Sequence, residues 1–577
     1  MERPRPSRAR AALVALILAR RAELGLTLLF GLAAFLLVVG PAPLDPTNIA
    51  WLSESDAATN YLGWAFYRAA PWSWPPAANP AYGLDIAGSV MMADANPLLA
   101  MPFKLLSSLL PTPFQYFGLW LLACFLLQAT FGHAIAARFS GYVEQRLAVT
   151  ALFLFAPCFL IRIATPAMFH MTLCGQWQIL AALWLYLSPD LPRRAVKWTT
   201  LLTLSVLTHP YLLGAVALIW LADLFRLLLT RTRPTSRVLI ESAMALFAMV
   251  AAAKLSGVFW LARPANAVAQ TATGRLGLRS YGEWGFGYYK ANLLSPFDPE
   301  NWSWLLPDLP SNPGEIEGFA FLGLGVLLLL ATAIPLARQA WLESRNAREH
   351  VPLVLGLAGL MLFAVTPNVA VGTHVLHVPW PAPLLGIGNL FRSSGRFVWP
   401  LVYCAMAVIC WTVARGLGRR AGSALLLAAA LLQIADSSAG WRAYATTFAR
   451  HGRHWPTALT SSFWRSAGHR YTSVRLIVPR NRFPDYREVD NWALANGMTT
   501  DLVYLARYDA AALEAVTRQR VSELRHGRLS PDTLWITDGV AADALARMPR
   551  RIGDRIGIID GIPIFAPAFG DEASLQD

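Results

Sequence analysis

The chain has 577 residues, of which 55% are hydrophobic and only 15% charged, with a mean hydropathy of +0.41. A soluble chain of this length would divide into several polar-surfaced domains, each with about 25% charged residues. A soluble multidomain enzyme, a disordered chain and a disulfide scaffold are therefore excluded, and the composition describes a polytopic membrane protein in which a net charge of +14 makes the placement of basic residues informative.

The N-terminus, MERPRPSRARAALVALILARR, is basic and runs into an apolar stretch with no convincing small-residue cleavage site. It reads as a retained first membrane helix. A helix needs about 20 apolar residues to cross the hydrocarbon. Eleven stretches are candidates: about 23–40, 114–137, 147–164, 171–187, 198–208, 210–229, 238–260, 318–337, 351–371, 397–414 and 421–437. Cys124, Cys158, Cys174, Cys404 and Cys410 all lie in apolar runs without a C-x-x-C pair, as small residues of membrane helices do. The short fifth stretch meets the sixth at Thr208-His209-Pro210, where proline disfavours helix at the preceding residue. The chain there makes either two hinged helices or one kinked one.

Lys and Arg arbitrate, because cytoplasmic loops carry their excess. With the N-terminus inside and two crossings over 198–229, the short inner loops hold 21 basic residues and the longer outer loops up to Arg396 hold nine. This predicts an α-helical polytopic membrane protein of about 11 transmembrane helices, with the N-terminus cytoplasmic and the C-terminus on the outer side. The basic excess is thus topological and does not advertise nucleic-acid binding. Three outer loops, 41–113, 261–317 and 372–396, are long, and long loops on one face are where sites are usually built.

The membrane region is assigned to 1–440. Beyond Trp441 the composition changes: RYTSVRLIVP reads as a strand, NWALANGMTT as a turn, LARYDAAALEAVTRQRVSELRHG as a helix, and DTLWITDG and RIGIIDGIPIFAP as strands. Residues 441–577 are expected to form a small α/β extracytoplasmic domain. It shows neither a phosphate loop nor a nucleophile elbow, which suits an accessory or acceptor-handling role.

The polar residues that need explaining fall on or near the outer face. In SESDAATNYLGWAFYRAAPW, Asp56, Asn60, Gly63 and Tyr67 share one side of an amphipathic interfacial helix. Asp56 is either a helix-start acid or a carboxylate able to act as a general base or bind a metal ion. Asp94 precedes a short helix starting at Pro97, and either it or Asn96 would cap that helix. His170 opens the fourth span and His209 sits in the Thr-His-Pro break. Lys254, about two-thirds of the way out along the seventh span, must snorkel or pair with an anion such as a lipid-linked phosphate. The second outer loop, YGEWGFGYYKANLLSPFDPENW, interleaves aromatic rings with Glu283, Tyr288, Lys290, Asn292 and Asp298, which suits a sugar or an interfacial belt. Glu315 and Glu317 follow. Arg392 and Arg396, one helical turn apart, read as an anion clamp or as interfacial anchors.

The stretches SDAATNYLGWAFYR, ADANPLLAMPFKLLSSLLPTPFQYFGLWLL, HMTLCGQWQILAALWLYL, THPYL, GYYKANLLSPFDP, EGFAFLGLGVLL and LFRSSGRFVWP resemble an uncharacterised bacterial family of polytopic membrane proteins grouped with the GT-C superfamily of membrane glycosyltransferases. The resemblance covers about 1–440. It implies the bacterial inner membrane, a periplasmic C-terminus and a polyprenyl-phosphate sugar donor bound from the lipid. Asp56 would deprotonate a glycan or lipid acceptor, with Asp94 as runner-up. Lys254, Arg392 and Arg396 would hold the donor phosphate. The substrate-facing residues would be Asn60, His170, His209, Tyr288, Asn292, Asp298 and Glu317. The first loop has no D-x-D pair, only Glu54-Ser55-Asp56, so a divalent ion (Mg or Mn) stays open. The competing expectation is a transporter or flippase of lipid-linked glycans, with acids such as Asp223 and Glu241 lining a path through the bilayer. A third is an assembly partner that binds another protein through its C-terminal domain.

Overall fold

A computed structural model describes residues 8–83, 88–163, 169–258, 286–342, 347–389, 391–481, 483–484, 486–506, 510–537, 545, 547–549 and 551–570. Residues 261–285 of the second expected loop, Glu283 among them, lie outside the described residues.

The helices are α1 (Arg8–Val38), α2 (Ser55–Ala69), α3 (Pro97–Leu105), α4 (Phe117–Ala136), α5 (Val143–Leu154), α6 (Trp177–Tyr186), α7 (Arg194–Thr208), α8 (Pro210–Thr230), α9 (Thr235–Leu255), α10 (Leu324–Leu342), α11 (Val351–Val365), α12 (Ala382–Asn389), α13 (Trp399–Gly416) and α14 (Gly418–Asp436). Seven segments among the described residues are long and apolar enough to cross a membrane: Arg21–Val38, Phe117–Ala136, Pro210–Thr230, Thr235–Leu255, Arg348–Val365, Ser394–Gly416 and Gly418–Phe448. The chain is a mostly helical membrane protein.

The other four expected spans hold α5, α6, α7 and α10, of 12, 10, 15 and 19 residues. In 147–164, α5 stops before Pro157, and Ala156 is extended at ψ 121°. In 171–187, a 3-10 turn over Thr172–Cys174 precedes α6. In 318–337, the chain is non-helical from Phe319 to Gly323, which stands at φ 85°, and α10 begins at Leu324. Over 198–229 the chain reverses: α7 ends at Thr208, His209 is extended, and Trp198 Nε1 donates to Asp223 Oδ2 at 3.0 Å. A bond between the start of α7 and the far part of α8 makes the pair a hairpin, not one kinked helix.

The C-terminal region carries a five-stranded sheet of order β4-β3-β5-β7-β6, after a separate hairpin of β1 (Asn368–Val371) and β2 (His374–His377). Strand β3 (Ser473–Leu476) runs parallel to β4 (Thr499–Thr500) and β5 (Thr533–Ile536), while β6 (Arg555–Ile559) and β7 (Ile562–Ala566) form an antiparallel hairpin. Helices α15 (Ser462–Arg470), α16 (Tyr486–Ala495) and α17 (Ala510–Arg525) complete this α/β region. NWALANGMTT is not simply a turn. Its first half belongs to α16, and Gly497, at φ 68°, ends that helix before β4.

The α/β region is joined to the first long loop. Thr500 forms a parallel bridge with Tyr82. Thr59 Oγ1 and the Tyr486 hydroxyl lie 2.6 Å apart, both buried, and Ala506 N donates to Met92 O at 2.7 Å.

Candidate functional site

Two close approaches shape the site. Gly63 on α2 allows the 88–96 segment to lie against that helix, since a Cβ there would stand 2.4 Å from Ala93 Cβ. Asn60 Nδ2 donates to Ala93 O at 3.0 Å, Asn79 Nδ2 to Gly63 O at 2.9 Å, and the Tyr116 hydroxyl to Ala95 O. Asp94 and Asn96 then take left-handed φ of 50° and 54°, which Asp and Asn tolerate better than other side chains. Asn96, not Asp94, is the N-cap residue of α3, which leaves the Asp94 carboxylate to face a cavity. On the other side, Gly395 packs on Gly318, a Cβ on the former reaching 2.7 Å from Gly318 Cα. This contact sets Arg396 beside Glu317.

The cavity measures about 320 Å3. Its polar wall holds Asp56, Asn60, Asp94, His170, His209, Arg392 and Arg396, all singled out from the sequence. Met91, Met92, Val258 and Phe391 add an apolar side, and Tyr211, Tyr504 and Ala506 complete it. Tyr504 and Ala506 belong to the C-terminal α/β region.

A chain of charged side chains leads into the cavity. Arg162, fully buried, pairs with Glu317 Oε2 at 2.9 Å, and the same oxygen takes Arg396 Nε at 2.8 Å. Arg396 Nη2 lies 3.3 Å from His170 Nε2, and His170 Nδ1 stands 2.9 Å from Asp56 Oδ2. Burial raises Asp56, but the charge of His170 outweighs it and holds the carboxyl below its usual range. Burial opposes a charged His170, yet the pairing with Asp56 carries the imidazole up to about 9. Glu317 is likewise held well below the carboxylate range, with Arg162 and then Arg396 overcoming its burial.

Asp94 behaves differently. Burial, reinforced by the charge of Asp56, pushes its carboxyl up to about 6, while His170, Arg396 and Arg392 pull against the rise. The side chain nearest its carboxylate is the His209 imidazole, with Nε2 3.6 Å from Oδ1. One cavity therefore holds two carboxylate–imidazole pairs of unequal acidity, the arrangement by which sites divide proton-transfer roles. Arg392 lies over the Tyr289 ring at 5.6 Å and makes no ion pair among the described residues. A guanidinium that faces a cavity and has no carboxylate within ion-pair distance is suited to an anionic ligand.

The remaining expected residues stand elsewhere. Lys254 is exposed on the last turn of α9 and does not line the cavity. Asn292 donates to Glu315 Oε2 at 2.7 Å and to Gly372 O at 2.8 Å, and Lys290 pairs with Glu315 at 2.7 Å. Asp298 accepts the N–H of Glu300 and of Leu309 at 3.3 and 3.0 Å. These groups tie the 286–315 loop together. Tyr288 packs its ring against Gly314 in the same loop. Glu317 acts one layer behind the wall, through Arg396 and Arg162. Glu54 pairs with Arg450 at 2.6 Å, so the two acids of Glu54-Ser55-Asp56 take separate partners. Among the described residues no group of three or more His, Cys, Asp or Glu is arranged to hold a metal ion.

At the far end of the α7–α8 hairpin, Asp223 is fully buried between Arg194 at 2.5 Å and Arg226 at 2.7 Å, and Glu241 pairs with Arg233 and Arg237. Sequence reasoning did not single out Arg162, Tyr211, Tyr504 or Ala506 as site residues. Arg162 had a signal, an arginine inside the apolar run FLFAPCFLIRIA, which only a buried anion accommodates at low cost.

A membrane-embedded helical protein with a polar, charge-paired cavity is the class that fold and site define. A family model described as Domain of unknown function (DUF6311) matches residues 28–438, and one described as DUF6311 C-terminal domain matches residues 463–567. The chain belongs to the DUF6311 family. No curated protein matches it.

Proposed function

We propose that the protein is a GT-C-like membrane glycosyltransferase of about 11 spans in the bacterial inner membrane, with a cytoplasmic N-terminus and its cavity and C-terminal domain on the periplasmic side. It would move a sugar from a polyprenyl-phosphate donor to a glycan or lipid acceptor. The observation that carries this reading is the meeting of Asp56, Asp94, Arg392 and Arg396 in one cavity with an apolar side.

In an inverting transfer the acceptor hydroxyl oxygen bonds to the sugar's anomeric carbon as the bond from that carbon to the phosphate oxygen breaks. One carboxylate, Asp56 or Asp94, takes the hydroxyl proton. The polyprenyl phosphate leaves with the electron pair, and the Arg392 and Arg396 guanidiniums stabilise its charge. The apolar side formed by Met91, Met92, Val258 and Phe391 suits the first units of a lipid chain. The ion-paired burial of Asp223 also favours this reading over a glycan path through the bilayer. The experiment is transfer from polyprenyl-phosphate sugars by the purified protein in proteoliposomes. Cleavage of the donor that is lost when both acids become Asn supports the reading, and donor crossing the bilayer uncleaved contradicts it.

A further inference from the structure

Helix α8 begins at a histidine. His209 is its N-cap, extended at φ −162° and ψ 137°, and His209 Nδ1 accepts the backbone N–H of Tyr211 at 3.2 Å. That bond fixes the chemistry of the ring. A ring nitrogen that accepts carries no hydrogen, so a neutral imidazole in this position carries its hydrogen on Nε2. Protonating Nδ1 would set two donors against each other, uncap the helix and add a cation at the positive end of its dipole.

The surroundings act in the same direction. Burial, then the positive charges of Arg396, His170 and Arg162, hold His209 well below the usual imidazole range, with Glu317 opposing them. The ring stacks on Tyr211 with centroids 5.4 Å apart and planes at 25°. Tyr211 is fixed in turn, its hydroxyl accepting Ser393 N–H at 2.8 Å and its face carrying the Arg396 guanidinium at 4.8 Å. The Nε2–H thereby faces Asp94 at longer than hydrogen-bond distance, with Nε2 3.6 Å from Oδ1, where its dipole still acts on the carboxylate. No other side chain among the described residues pairs with that carboxylate, whereas Asp56 already faces His170 at 2.9 Å.

We infer that His209 is a permanently neutral imidazole, locked by the α8 N-cap as the Nε2–H tautomer, and that this N–H positions the Asp94 carboxylate as the proton acceptor of the cavity. The assignment of the proton rests on the reading of the cavity as a transfer site. It gives the two acids different work: Asp94 takes the acceptor proton, while Asp56 keeps its charge and balances His170. His209 acts through Asp94 and is a positioning residue.

The test uses the full chain in lipid nanodiscs with selectively 15N-labelled histidine, read by solid-state NMR. The His209 signal is identified by its loss in His209→Asn, which keeps a capping oxygen for the Tyr211 N–H. From pH 5 to 8 the ring is expected to show one bare nitrogen, Nδ1, and one protonated nitrogen, Nε2. A ring protonated on both nitrogens in that range, or bare at Nε2, overturns the inference. Selective 13C-aspartate labelling, assigned through Asp94→Asn, then follows the Asp94 carboxyl. Its titration is expected to move up in His209→Asn, because the N–H dipole 3.6 Å from Oδ1 that favours the charged carboxylate is withdrawn. An unmoved titration removes the positioning role. Neither readout needs a substrate, so failure here is distinct from failure to find glycosyl transfer.

Discussion

His170 and Asp56 form the tightest ionic contact on the cavity wall, with Nδ1 2.9 Å from Oδ2 and side chains 17% and 26% exposed. The pair joins α2 to the segment entering α6, and behind it Arg396, Glu317 and Arg162 alternate in sign into the protein. A buried charge left without its partner costs several kcal/mol, so this chain should respond to substitution as a unit.

The pH dependence of stability follows from the pair. His170 is raised, so its contribution is complete below its ordinary value near 6.5 and is lost as pH rises through about 9. Asp56 is lowered, so its contribution is present above 3.8 and is lost as pH falls through its folded value. Thermal stability in detergent is expected to drop between pH 7 and pH 10, by up to about 3 kcal/mol. His170→Gln should flatten that alkaline limb. An unchanged limb in the variant would show that other groups set it.

Asp94 has the opposite sign. A carboxyl raised to about 6 costs the folded state stability above that pH, and the cost disappears as pH falls. Asp94→Asn is therefore expected to stabilise the protein by about 2 kcal/mol at pH 7.5 and not at pH 4. A melting curve for Asp94→Asn no higher than the native one at pH 7.5 contradicts this.

The two arginines of the cavity should separate. Arg396→Ala leaves the buried Glu317 with Arg162 and the more distant His170, 3.9 Å away, and should cost about 3 kcal/mol or more. Arg392→Ala breaks no ion pair among the described residues and should shift stability by less than about 0.5 kcal/mol. It should nevertheless weaken the binding of polyprenyl phosphate measured on the same sample. Equal losses of stability in both variants would assign Arg392 to structure.

Much of the cavity wall is legible in the sequence, because an ionisable side chain next to apolar runs stands out. Asp56, His170, His209 and Arg396 are of this kind. Asn292 and Asp298 look the same in sequence, but Asp298 closes turns within one loop and Asn292 ties that loop to Gly372 of the β1–β2 hairpin, roles decided by backbone groups that have no sequence signature. Tyr504 and Ala506 were invisible for another reason. They reach the cavity through contacts between residues some 400 apart, such as Thr59 with Tyr486, and periodicity reports only local structure. The span count is less legible, because Pro157 interrupts one apolar stretch with a break that hydropathy alone does not register.

The junction with the α/β region is open to a conservative test. Tyr486→Phe removes the partner of the buried Thr59 hydroxyl and should cost about 1–2 kcal/mol. If the α/β region stabilises the cavity wall, the same variant should also loosen the loop carrying Asp94, seen as faster amide exchange over residues 91–96. Unchanged exchange there would make the junction a mere tether.

The most direct measurement is the fate of a labelled polyprenyl-phosphate sugar in proteoliposomes, tried over a panel of sugars with the native protein, Asp56→Asn and Asp94→Asn. The expected result is one released polyprenyl phosphate per sugar transferred, with Asp94→Asn slower by about a hundred-fold or more while still binding the lipid. Transfer at the native rate in both variants, or donor that crosses the bilayer intact, would contradict the assignment of this cavity to glycosyl transfer.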